Sequence, residues 1–157
     1  LIRRYKEQVW YIPDKMLCSM KPLLTLVFVL ISLDSLSAAQ KKAPKHIQAA
    51  WERVTFPFKK ECVTETGIAQ GLADRLFLHS EYPEHDPLKC YIKCVSGRMG
   101  ILDVSKGEWI LDEFLRQVAG LTPSIYAACK EETKAAPNVC EISYGMYKCV
   151  VGHVSED

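Results

Sequence analysis

Apolar positions recur along most of the chain at intervals of three and four, the spacing that lines one face of an α-helix. Behind Asp86-Pro87, an N-cap followed by a proline suited to the first helical position, come Leu88, Tyr91, Ile92, Val95 and Met99 on one face. Ser105 and Glu108 make a capping box ahead of Ile110, Leu111, Phe114, Leu115 and Val118, and Gly120 ends that segment. Thr122-Pro123 opens a helix carrying Ile125, Tyr126 and Cys129, and Pro137 opens the last one, running to about Val151. Nearer the N-terminus, His46 to Thr66 has helical spacing and stops at Gly67, with Pro57 inside it expected to kink or split it. Ile68 to His79 is a shorter amphipathic segment, broken before Pro83. Strand signals are nearly absent: no sustained alternation, and no Asn-Gly or Asp-Gly turn. The pattern predicts an all-α fold of about six helices joined by short loops.

One stretch departs from this pattern. Leu23 to Leu33 is a continuous apolar run of eleven residues, preceded by Lys21, ended by Asp34 and followed by the small residues Ser35, Ser37, Ala38 and Ala39. A membrane span needs roughly 20 apolar residues, so the run reads as the core of a secretory signal peptide over residues 16–39. Cleavage after Ala39 fits best, with Ser37 and Ala38 nearly as good. Met16 and Met20 stand directly before the run, so residues 1–15 read as a non-native upstream extension. Residues 40–157 then form a single domain.

Composition narrows the function classes. The chain has 157 residues, a net charge of +1 and 48% hydrophobic residues, which excludes disorder and electrostatic binding to nucleic acid. The exported segment of 118 residues carries 15 basic and 16 acidic side chains. Of seven cysteines, Cys18 leaves with the leader and six remain, an even number bound for an oxidising compartment. Three disulfides are therefore the default, and with no CxxC pair no metal site is expected. Cys90 and Cys94 lie roughly 40° apart on one helix face, so each should seek a different partner. Cys140 and Cys149 lie roughly 180° apart and point at two neighbours. Six cysteines allow fifteen connectivities, and these constraints remove only some of them.

The cysteine order Cys62-x27-Cys90-x3-Cys94-x34-Cys129-x10-Cys140-x8-Cys149 resembles the six-cysteine signature of the insect odorant-binding proteins, the pheromone- and general-odorant-binding family. The x3 and x8 intervals are the least variable parts of that signature. The flanking strings CVTETGI, LKCYIKC and NVCEISYGMYKC agree with it, and the resemblance covers essentially all of residues 40–157. It implies interlocked bridges Cys62–Cys94, Cys90–Cys140 and Cys129–Cys149, each contributing about 2–4 kcal/mol by restricting the unfolded chain. It also implies a bundle stapled around an apolar cavity that holds a small hydrophobic or amphipathic molecule. Carried over by position from the cysteines, the ligand-binding lining is Tyr91 and Val95, then Leu111, Phe114 and Val118, then Ile125, Tyr147 and Val150. Trp51, Phe58 and Leu76 are added with Pro57 in view, since a bend there re-aims both aromatics. Each of these is equally readable as ordinary core. Tyr91 and Tyr147 stand out because a phenol on an apolar surface orients a ligand oxygen, the alternative being that their hydroxyls bond the backbone.

The eight residues after Cys149 are too few to refold into a cavity as a helix. Laid across the opening as a lid, they would make His153 a pH gate, because imidazole titrates near about 6.5; the favoured alternative is a solvated tail histidine. His79 and His85, in the acidic HSEYPEHD loop, are expected to be exposed. No GxSxG, HExxH or GxxxxGK[ST] occurs, and His85-Asp86 lacks the calcium loop and adjacent double cysteine of secreted phospholipase A2. No catalytic residue and no cofactor is therefore expected, and with Asn138 as the sole asparagine there is no N-glycosylation sequon. The resemblance implies an extracellular carrier of odorants or pheromones in sensillum lymph. It allows transient contact with a membrane odorant receptor and a homodimer, with no nucleic-acid partner. Two alternatives stay open at this level: a lipid or amine scavenger in saliva, haemolymph or reproductive secretion, and a packed secreted protein-binding domain.

Overall fold

The computed structural model describes residues 40–155, which cap and turn residues divide into six helices. They are α1 (Lys45–Thr66), α2 (Gln70–His79), α3 (Asp86–Arg98), α4 (Leu111–Gln117), α5 (Pro123–Thr133) and α6 (Val139–Val154). The expected leader and upstream extension lie outside the described residues. Gly67 closes α1 in the left-handed conformation (φ 66°), its N–H bonding the Val63 carbonyl at 3.0 Å. Thr122 caps α5 through Oγ1, which accepts from the Ile125 N–H, and Asn138 caps α6 through Oδ1, which accepts from the Glu141 N–H.

Pro57 does not split α1. It removes one donor and crowds the carbonyl of Arg53, yet both residues lie on the exposed face, where a carbonyl left open to solvent costs little. Two further sequence expectations are corrected. The Ser105–Glu108 stretch does not start a helix: Asp103 Oδ1 accepts from the Ser105 N–H (3.0 Å), the Ser105 hydroxyl (2.6 Å) and the Lys106 N–H (3.3 Å). That side-chain turn, with Gly107 at φ 71°, folds a small antiparallel hairpin of β1 (Leu102–Asp103) and β2 (Glu108–Trp109), pairing Leu102 with Trp109. α4 therefore begins only at Leu111. At the other end, α6 continues past Val151 to Val154, and Val154 packs against the core. Val150 to Val154 are thus the last turn of a helix and not a separate lid.

α3 and α6 form the centre. They pack on each other, α1 lies on α3, α2 on α1, and α5 on α6. Leu88, Tyr91 and Val95 of α3 and Met146 and Val151 of α6 are almost wholly buried. The bridges follow these contacts: Cys62–Cys94 ties α1 to α3, Cys90–Cys140 ties α3 to α6, and Cys129–Cys149 ties α5 to α6, with Cα separations of 5.7, 4.6 and 5.5 Å. Every bridge thus joins helices that already share apolar surface. Charge pairs complete the joints, Lys59 linking Glu52 of α1 to Asp74 of α2, and Lys89 of α3 reaching Glu141 of α6 at 2.8 Å.

Candidate ligand-binding cavity

The helices do not close completely on one another. Between them lies a void of about 60 Å³ open to the centre of a water-sized sphere. α1 contributes Trp51, Val54 and Thr55 to its wall, α2 contributes Phe77, and α3 contributes Ile92, Val95 and Ser96 with Met99 just beyond. The hairpin region supplies Ile101 and Trp109, α4 supplies Phe114 with Val118 after it, and α6 supplies Ser143, Met146, Tyr147 and Val150. No Asp, Glu, His, Cys, Lys or Arg is among these residues. The wall is apolar, with a few hydroxyls and two indoles.

Aromatic contacts fix its shape. Tyr147 sits edge-on to Trp51, Phe77 and Tyr82, with centroids 5.9, 5.8 and 5.5 Å away. Trp109 stacks on Phe114 at 4.7 Å, and Phe114 meets Tyr126 edge-on at 6.2 Å. Most polar groups in the wall are already engaged with backbone. The Trp51 Nε1–H donates to the Ala119 carbonyl (2.9 Å), and the Thr55 and Ser143 hydroxyls donate to carbonyls one turn earlier, Trp51 and Val139. The Tyr147 hydroxyl donates to the Leu76 carbonyl at 2.8 Å, and burial pushes its pKa far above the ordinary phenol value.

Of the eleven residues singled out from sequence, the structure places Trp51, Val95, Phe114, Val118, Tyr147 and Val150 around this void. The other five lie elsewhere. Leu76 is fully buried in the α2 core, and Phe58 and Ile125 pack half-buried against the core. Leu111 is 36% exposed because α4 starts at it instead of several residues earlier. Tyr91 is fully buried against Phe77 (6.5 Å), its hydroxyl without a partner among the described residues. Burial, with the Glu52 and Asp74 charges adding to it, drives the Tyr91 pKa upward. His153 is exposed on the last turn of α6, outside the wall and beside the Cys129–Cys149 bridge. His79 and His85 are exposed.

Several wall residues escaped the sequence reading although a signal existed. Val54 and Thr55 follow Trp51 by three and four positions, as Ser96 and Met99 neighbour Val95 and as Ser143 and Met146 precede Tyr147 and Val150. Ile101 and Trp109 had no such signal, since their placement depends on the hairpin.

The comparisons with known proteins fall on this same domain. The model of the PBP/GOBP family matches residues 46–153. General odorant-binding protein 99a of Drosophila melanogaster is 29% identical over 100 residues, covering 60% of this chain and 70% of that protein. Odorant-binding protein 22 of Aedes aegypti is 34% identical over 62 residues, covering 40% of this chain and 44% of that protein. No solved structure matches the chain significantly.

Proposed function

The chain belongs to the PBP/GOBP family, and from that membership we propose that it is a secreted carrier of odorants or pheromones, holding one small hydrophobic or amphipathic molecule in the cavity and ferrying it through aqueous lymph to receptors. The observation that carries this reading is the apolar void at the meeting point of α1, α3, α4 and α6. A wall without a general acid, base or charge suits holding a molecule unchanged better than converting it. Three bridges support export to an oxidising space, and by stapling the helices they offset the stability that a void costs. Burial of roughly 250 Å² of apolar ligand surface contributes about 6 kcal/mol. After the cost of association this corresponds to weak, micromolar binding with broad selectivity.

The test is a titration of the full chain, secreted from a eukaryotic host so that its bridges form, with N-phenyl-1-naphthylamine at neutral pH. Saturable micromolar binding, displaced by alcohols, aldehydes, fatty acids or amines, is the expected result. A folded, bridged protein that binds none of them has a solid interior, and the carrier reading fails.

A further inference from the structure

The ion pairs of the molecule leave out one helix face. Lys41, Lys42, Lys45, Arg53 and Lys60 are exposed and reach no carboxylate among the described residues, whereas every other Lys or Arg there does so except Lys93 and Lys130. Charge is divided along the chain as well: residues 40–66 hold six cations and three carboxylates, and residues 67–157 hold nine and thirteen. At about 100° per residue, Lys45, Ala49, Arg53, Phe56 and Lys60 fall within roughly 80° of one another around α1, and Lys41 and Lys42 lead into its N-terminal end. Glu52 with Lys59 borders this face on one side, and Glu61 and Glu65 with Arg98 border it on the other, so no carboxylate stands on it. In its middle the Phe56 ring is 66% exposed, more than any other large hydrophobic side chain described. The residues that α1 gives to the cavity, Trp51, Val54 and Thr55, point roughly 180° the other way.

We infer that this face of α1 docks the protein reversibly on membranes that expose anionic lipid. Lys and Arg beside such a surface are drawn by its negative potential, and an aromatic ring among them gains by entering the headgroup layer. Lys45 to Lys60 spans about 22 Å of one helix, a row that a plane meets all at once, whereas an acidic peptide would have to be held extended along it. The acid excess over residues 67–157 is repelled by the same surface and so fixes which side turns towards it. At about fivefold per cation, five of them give half-saturation near about a millimolar lipid. Because the cavity lies on the opposite side of α1, docking does not depend on what the cavity holds.

The test is co-sedimentation of the secreted protein with vesicles of phosphatidylcholine alone and with vesicles in which about one lipid in three is phosphatidylserine. Partitioning onto the anionic vesicles only, lost at about 1 M salt, is the expected result. Lys45→Gln, Arg53→Gln and Lys60→Gln together should weaken it about a hundredfold, and Phe56→Ala alone about fivefold. Removing three cations elsewhere, by Lys93→Gln, Lys130→Gln and Lys134→Gln, should weaken it less than about threefold. Equal loss in the two triple variants overturns the face, because net charge alone would then account for binding. Absence of any preference for the anionic vesicles overturns the docking. Equally tight binding to polyglutamate, indifferent to Phe56→Ala, makes the partner an acidic polypeptide and overturns the bilayer. If the α1 triple variant does not fold, the salt dependence and Phe56→Ala decide.

Discussion

Replacing Tyr147 by Phe separates two roles that a phenol in a cavity wall can play. The last turn of α2 does not follow the regular helical pattern: the Ser80 N–H, which would ordinarily bond the Leu76 carbonyl, reaches the Arg75 carbonyl instead. Ser80 adopts φ 50°, and the Leu76 carbonyl takes the Tyr147 hydroxyl at 2.8 Å. Leu76 and Tyr147 are both buried, so Tyr147→Phe leaves a carbonyl unpaired in the interior at a cost of about 1–3 kcal/mol. For a domain of this size about 1 kcal/mol moves Tm by about 4 °C, so the melting temperature should drop by roughly 4–12 °C. The ring is retained, with its edge-on contacts to Trp51, Phe77 and Tyr82, and fluorophore affinity should stay within about twofold. Calorimetric melts and probe titrations on the same two samples give both numbers. An unchanged Tm together with tenfold weaker binding would refute the reasoning, because the hydroxyl would then serve the ligand and not the α2 terminus.

Gly120 has φ 82°, and a Cβ there would lie 2.9 Å from Ile47 Cδ1 and 3.1 Å from Val154 Cγ1; Gly120→Ala should cost about 1–3 kcal/mol, read as a lower denaturation midpoint at unchanged slope. Asp74 is held below its ordinary 3.8, first by Gln70 and then by Lys59. Glu84 is held below 4.5 because Lys89 and Lys148 outweigh its partial burial. Groups with depressed folded pKa values stabilise the fold above their unfolded pKa and stop doing so as pH falls through the folded value, so Tm should decline from about pH 5 to about pH 3. Lys59 has the opposite sign. Burial lowers its pKa, but Glu52 and Asp74 raise it above 10.5, so its contribution is full below that pH and is lost on the alkaline side. His153→Ala should leave the dependence of ligand affinity on pH between 7 and 5 unchanged, since the side chain is exposed and outside the cavity wall; loss of that dependence in the variant would restore the gate.

The helices were legible because their ends carry local chemistry. Gly67, Pro87 and Thr122 each satisfy or remove a terminal backbone group by themselves, without help from distant residues, whereas the last helix is capped by Asn138 and not opened by Pro137. The hairpin was not legible for the converse reason. Two residues per strand are too few for any alternation, and Ser105 with Glu108 matches a helix start in spacing. What decides between them is Asp103, whose carboxylate gathers three donors from the turn and leaves Ser105 no freedom to cap. That one competition shifts the start of α4, turns Leu111 outward and brings Trp109 to the void.

The cavity is harder to read than the fold because a wall residue and a core residue make the same sequence pattern. Val95 and Tyr91 both belong to the buried face of α3 and differ in what stands opposite: Val95 meets the void, and Tyr91 meets Phe77 within the field of the Glu52 and Asp74 carboxylates. Polar side chains sharpen the point. Tyr147 looked like a ligand contact because a phenol has a free hydroxyl in sequence, and the structure gives that hydroxyl to Leu76. Trp109 carried no such expectation, and the structure leaves its N–H unpartnered among the described residues. Polar groups of an apolar cavity are therefore read by subtraction: a hydroxyl or N–H that the backbone has claimed, as Leu76 claims Tyr147 and Ala119 claims Trp51, serves the fold, and what the wall offers a ligand is its apolar surface.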